Sequence, residues 1–138
     1  MTSKPVFIDS SFFKALIDVK DEFHVRALLW WEDKTRVSRL YITSNFILDE
    51  TFTLVRNHCS KAIALAVRDL LVQAEPSIDI VRVILKDEKD AWQWFEKGWS
   101  KLSFTDCVSF AQMKRLGITE VATFDEHFKR AGFHMMST

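Results

Sequence analysis

Apolar residues fall in two spacings along the chain, short continuous runs and helical stripes, and the two alternate. Val6 to Ile8, Leu40 to Thr43, Ile78 to Val83 and Val121 to Phe124 are short runs rich in β-branched and aromatic residues. Such runs suit buried strands. Between them lie stripes of helical period. Phe12, Phe13, Leu16 and Ile17 mark a helix over 10–18. Phe23, Ala27, Leu28, Trp30 and Trp31 mark a second, with Asp21 placed to cap it. Ser44 and Ser60 are N-cap residues for helices reaching about His58 and Ala74, an αα-hairpin that Pro76 ends. Ala91, Trp94, Phe95 and Trp99 stripe a helix over 87–99, Ser103 opens one that stops at Gly117, and 125–131 forms a short helix closed by Gly132. Phe133 to Met136 reads as a last edge strand. Strands alternating with helices predict an α/β fold, a three-layer α/β/α sandwich around a central, mostly parallel sheet.

Four acids stand out against this pattern. Asp9 follows the first run and Asp125 the fourth, while Asp106 opens a helix. Glu50 shares a helix face with Phe46, Ile47, Thr53 and Leu54, costly company for a carboxylate without a partner. Each aspartate has a plain alternative as a helix cap, and Ser103 with Asp106 fits a capping box. Caps do not explain why the acids follow strand ends. If the first and fourth runs are neighbouring parallel strands, their carboxyl ends bring the acids to one rim, where open α/β sheets bind ligands. Clustered carboxylates repel unless a cation holds them, and oxygen ligands suit Mg²⁺ or Mn²⁺. A hard cation in an acidic nest is equipment for phosphodiester hydrolysis.

The 138 residues fit one domain, and 48% apolar residues supply a core. Lys plus Arg and Asp plus Glu both total 19, giving zero formal charge. Neutrality counts mildly against a nucleic-acid substrate, less so if the acids are gathered in one site. The first residues show no signal-peptide core, and no apolar stretch approaches the roughly 18–20 residues of a membrane span, so a cytoplasmic protein without a membrane partner is expected. Cys59 and Cys107 lack metal-type spacing and read as free thiols. There is no GxSxG, no Gly-rich phosphate loop and no zinc-type histidine spacing among His24, His58, His127 and His134. His24 reads as packed or capping, the Trp92, Trp94 and Trp99 group as core, and Asp87-Glu88-Lys89-Asp90 as a solvated first helical turn.

Several stretches resemble PIN-domain nucleases, most closely their VapC-like toxin branch, nearly end to end. They are Phe7-Ile8-Asp9-Ser10-Ser11, Asp21-Glu22-Phe23-His24 with Ala27, and Thr43-Ser44 with Leu48, Glu50 and Leu54. Leu102 to Asp106 with Ser109, and Thr123 to Phe128 with Gly132-Phe133, complete the set and are the more specific. The resemblance implies a single PIN-like domain over residues 1–138 acting as a Mg²⁺- or Mn²⁺-dependent endoribonuclease, the toxin of a toxin–antitoxin pair. Asp9, Glu50, Asp106 and Asp125 would be its metal-site acids, with Ser11 and Thr123 as supporting polar residues. It further implies an RNA substrate, a cognate antitoxin and a homodimer. The doubled serine after Asp9 departs conservatively from the threonine of many members. With a cation to activate water, no separate general base is needed. Phosphate contacts would fall to basic side chains, with Lys14, Arg39, Arg56 and Lys61 as candidates. The alternative is a PIN scaffold serving as a nucleic-acid-binding or assembly module outside a toxin–antitoxin system. A dehalogenase-type phosphatase would need an Asp-x-Asp that Asp9-Ser10-Ser11 lacks.

Overall fold

The structure, a computed structural model, describes residues 4–33, 39–74 and 77–136. Five strands, β1 (Val6–Ile8), β2 (Tyr41–Ser44), β3 (Ile78–Val81), β4 (Glu120–Ala122) and β5 (His134–Met135), form one sheet in the order β3-β2-β1-β4-β5. Every pairing is parallel. Seven helices accompany them among the described residues: α1 (Ser10–Ile17), α2 (His24–Glu32), α3 (Asn45–His58), α4 (Lys61–Gln73), α5 (Leu85–Phe95), α6 (Phe104–Leu116) and α7 (Glu126–Arg130). The expected α/β architecture is the observed one.

β1 is the centre of the sheet and is fully buried, which is why its sequence is continuously apolar rather than alternating. From β1 the chain builds outward through β2 to β3, then returns to β1's other side with β4 and β5. The winding direction therefore reverses between β1 and β4, and the switch point lies at their carboxyl ends. Register places Ile8 beside Ala122, so Asp9 and Thr123 leave the sheet side by side. Helix starts behave as read: Ser44, Ser60 and Ser103 each accept the backbone N–H three residues on. Gly117 ends α6 at φ 71°, the left-handed backbone that glycine adopts without strain.

Several boundaries move by a residue or two, and three departures have a partner behind them. β3 stops at Val81, because the Val83 N–H turns to the Asn45 Oδ1 at 2.8 Å instead of continuing the ladder. α5 begins at Leu85, two residues early, since Asp87 reaches back to the Ile84 N–H (3.1 Å), and it ends at Phe95 in a tightened turn, releasing Trp99. Asp21 stands ahead of α2 rather than at its cap position. It accepts the Phe23 N–H at 2.8 Å and pairs with Lys14 at 2.6 Å. The Pro76 stop lies outside the described residues.

The solvated reading of the 87–90 turn fails for Asp87. Its side chain is 1% exposed and takes a two-pronged bond from Arg115 of α6, Nε to Oδ1 at 2.7 Å and Nη2 to Oδ2 at 2.9 Å. Sequence distance hid that partner. Trp94 is core as expected, but Trp92 is half exposed beside Phe95 and Phe104. His24 packs as expected, its Nδ1 donating to the Ala15 carbonyl at 2.8 Å and tying α2 to α1. Both thiols are free. No helix among the described residues is long and apolar enough to cross a membrane.

Candidate active site

The switch point is a cavity of about 390 Å³ lined by Asp9, Glu50, Asp106 and Asp125 together with Ser10, Ser11, Lys14, Lys101 and Phe124. Each acid arrives from a different element. Asp9 follows β1, Glu50 projects from the second turn of α3, Asp106 sits three residues past the Ser103 cap of α6, and Asp125 is the cap of α7. The helix-capping alternative holds for Asp125 and Asp106 but not for Asp9, whose side chain makes no cap hydrogen bond to α1. Asp125 Oδ1 accepts the His127 N–H at 2.9 Å, and Asp106 exchanges bonds with Ser103. Capping fixes these side chains on the rim; it does not exhaust their carboxylates.

Ser11 and Thr123 form a clasp between β1 and β4. Ser11 donates to Asp9 Oδ2 (2.9 Å) and accepts the Phe124 N–H (2.9 Å). Thr123 donates to the same oxygen (2.7 Å) and accepts the Asp125 N–H (3.0 Å). Ser10 donates to Glu50 Oε1 at 2.6 Å, which holds α3 to the end of β1. Thr43, buried in β2, braces the last carbonyl of β1, donating to Ile8 O at 2.9 Å.

Two donor sets meet at Asp106. Oxygens of Asp9, Glu50 and Asp106 lie within 4.8 Å of one another, and so do ligand atoms of Asp106, Asp125 and His127. His127 was not a candidate from the sequence, where it lacks any ligand spacing. The signal was its place two residues after Asp125, which puts it on the first turn of α7 facing the same rim. Its Nε2 can only donate to the Ser100 carbonyl (2.9 Å), so in the neutral ring the lone pair is on Nδ1. That nitrogen is shielded from solvent and has no hydrogen-bond partner. It lies 2.9 Å from Asp125 Oδ1 and 3.8 Å from Asp106 Oδ2. A lone pair against two carboxylates calls for positive charge between them. A backbone carbonyl orienting the far ring nitrogen is also how metal-binding histidines are held.

The electrostatics agree. Asp9, 1% exposed, is pushed up to about 6 by burial and by the charges of Glu50 and Asp125, against the bonds from Thr123 and Ser11. Asp106, 5% exposed, is pushed up to about 9 by burial first and then by Asp9, Asp125 and Glu50. Among the described residues no lysine or arginine is ion-paired with the group: Lys14, at the cavity edge, is held by Asp21 (2.6 Å) and Asp18 (3.6 Å), and Lys101, also in the lining, makes no ion pair. Crowded oxygens, one orphaned nitrogen and no ion-paired lysine or arginine among the described residues fit a divalent cation.

The other basic candidates are not in this cavity. Arg39 is bonded to Glu120 at 2.8 Å, at the amino ends of β2 and β4, the opposite rim of the sheet. Arg56 and Lys61 are exposed near the α3–α4 turn and do not line it.

Comparison with known proteins accords with this geometry. The PIN domain model matches residues 6–134. The 23S rRNA-specific endonuclease VapC20 of Mycobacterium tuberculosis is 34% identical over 129 residues, 93% of this chain and 95% of that protein. The crystal structure of VapC20, described as a sarcin-ricin loop cleaving toxin, superposes with a TM-score of 0.80 at 32% identity, covering 93% of this chain and 95% of that one. FitAcB from Neisseria gonorrhoeae gives a TM-score of 0.66 at 17% identity over 94% and 95%, a likeness of fold alone. The chain belongs to the PIN domain family, on its VapC-like branch of metal-dependent ribonucleases.

Proposed function

We propose that the protein is a Mg²⁺- or Mn²⁺-dependent endoribonuclease toxin whose catalytic and cation-holding residues are Asp9, Glu50, Asp106 and Asp125. The observation that carries this is the meeting of both donor sets at Asp106 in a cavity where no described lysine or arginine is ion-paired with them. Asp9, Glu50 and Asp106 would hold a cation at the β1 side, and Asp106, Asp125 and His127 a position at the β4 side. When bound, a divalent cation supplies Lewis-acid polarisation of the phosphate and a water of lowered pKa. The chain's residues do the positioning. Ser11 and Thr123 fix the Asp9 carboxylate, Ser10 fixes Glu50, and the Ser103 and His127 backbone bonds fix Asp106 and Asp125. With an imidazole nitrogen among the donors, Mn²⁺ should be favoured over Mg²⁺.

The likeness to VapC20 supports ribosomal RNA as the substrate, a stem–loop of the sarcin-ricin type being the first to test. It also supports a cytoplasmic site of action and a cognate antitoxin that occludes the cavity. Homodimerisation is supported by the exposed apolar side chains Ile84, Leu85, Trp92 and Phe95. Light scattering showing a monomer across micromolar concentrations would reject the dimer. All four acids are in place, and nothing among the described residues favours the assembly-module alternative. The decisive assay incubates the stem–loop with purified protein in Mg²⁺, in Mn²⁺ and in EDTA. Cleavage should need the metal and vanish in Asp106→Asn. Undiminished cutting in EDTA would overturn the mechanism.

A further inference from the structure

Lys101 is the only non-glycine described residue with a left-handed backbone, φ 60°. A lysine adopts that conformation only when its surroundings impose it, and such residues gather at functional sites. Lys101 lies in the α5–α6 loop, lines the acid cavity, is exposed, and makes no ion pair among the described residues. The loop is anchored: the Ser100 carbonyl accepts the His127 Nε2–H, which ties it to α7. A second groove, lined by Ser100, Glu126, His127, Lys129 and Arg130, adjoins the cavity rim in sequence, Ser100 preceding Lys101 and Glu126 following Asp125. Arg130 lies over the Trp99 ring, Cζ 4.5 Å from its centroid, and that ring is parallel to the His127 imidazole within 8°. Cations beside a partly exposed aromatic are the furnishing of a single-stranded nucleic-acid track.

We propose that the α5–α6 loop and α7 form the path of the RNA strand into the acid cavity, with Lys101 on the phosphate at its mouth and Arg130 and Lys129 on the phosphates beyond. This rests on the reading of the cavity as a ribonuclease site. The zero net charge of the chain conceals the path, because the acids that balance it include the four in the cavity. Arg130 lies over the Trp99 ring, which holds its guanidinium in place, so the path grips phosphates and recognises a strand rather than a base order. Glu126 is the one acid among the described residues lining the second groove and works against binding there. The basic residues at the α3–α4 turn and on the opposite rim take no part.

The test separates charge from fold. Glycine suits φ 60° better than lysine does, so Lys101→Gly should melt at or above the parent temperature. Binding of a fluorescent single-stranded RNA is measured by anisotropy in EDTA, where nothing is cut, from about 50 to 200 mM salt. Lys101→Gly and Arg130→Gln should each weaken binding several-fold at the lower salt. Each should also flatten the slope of log affinity against log salt by about 0.7. Glu126→Gln should tighten binding, and Arg68→Gln, on exposed α4, should leave it unchanged. Parental affinity and slope in both Lys101→Gly and Arg130→Gln would overturn the path. Because binding is read without metal, that failure is distinct from failure of the ribonuclease reading, which shows as absent cleavage by the parent in Mg²⁺ and Mn²⁺.

Discussion

Asp87 and Asp106 occupy equivalent places on two helices that pack against each other. Each sits at the third position of its helix, each is almost wholly buried, and each reaches back to accept the cap residue's backbone N–H, from Ile84 and from Ser103. What differs is the partner. Asp87 meets the fork of Arg115 at 2.7 and 2.9 Å, and its charge is matched by geometry. Asp106 meets three more carboxylates and an imidazole lone pair, and burial and repulsion push it up to about 9. The fold thus neutralises one buried aspartate with a guanidinium and leaves its counterpart on the neighbouring helix without one. A carboxylate left unmatched beside one that is matched marks a position kept for an external charge.

The comparison breaks most visibly at Asp106. Asp106→Asn keeps an acceptor for the Ser103 N–H but removes the shared donor. Cleavage should fall at least about a hundredfold, roughly 2.7 kcal/mol of barrier, while the metal-free protein melts higher. A gel assay beside a melt in EDTA reads both. Asp87→Ala should do the reverse. Loss of a buried pair costs about 3–5 kcal/mol, but Arg115 is partly exposed and can rehydrate, so about 2 kcal/mol is expected. Denaturant titration measures it, and cutting by the folded fraction should persist.

A pH series sharpens the contrast. Asp9 and Asp106 are raised above their ordinary range in the folded protein, so between pH 4 and their folded values the native state holds more protons than the unfolded chain. Stability from these groups is fully present near pH 4 and is lost as pH rises, through about 6 for Asp9 and about 9 for Asp106. Metal-free melting temperature should therefore fall across that window, and Mg²⁺ or Mn²⁺ should restore it at the alkaline end. A flat profile in EDTA would mean the acids do not repel.

Smaller effects test the edges of the site. Asp125→Asn retains a good N-cap for α7 and relieves one charge, so it should gain about 1 kcal/mol in EDTA, on the scale of 1.4 kcal/mol per pKa unit, while losing activity. Parental cutting by Asp125→Asn would remove it from the site. His127→Ala should narrow the preference for Mn²⁺ over Mg²⁺ by several-fold in a metal titration followed by calorimetry, since only the nitrogen donor distinguishes the ions. An unchanged ratio would leave His127 as a tether for Ser100.

The sequence disclosed what is local. Continuous apolar runs marked the strands, serines before apolar stripes marked three caps, and carboxylates just past strand ends marked the rim. Ser11 and Thr123 came with the family resemblance. What it withheld depends on pairing across distance. Arg115 lies 28 residues from Asp87, so a buried ion pair read as a solvated turn. His127 has no ligand at diagnostic spacing, because its fellow donor Asp106 comes from another helix. Lys101 is unremarkable as a letter and singular only as a backbone conformation. Arg39 has the right charge on the wrong rim, and only strand direction tells which rim a residue occupies.

The clasp between Thr123 and Asp9 joins residues 114 positions apart. Neither β1 nor α3 can hold the Asp9 carboxylate in its working pose until β4 has been made and has slotted in beside β1. Domains fold as synthesis proceeds, at roughly 5–20 residues per second. The nascent chain therefore carries Asp9 for several seconds before the strand that clasps it exists. The proposed site thus stays unassembled until nearly the whole domain has emerged, a delay written into the order of the strands.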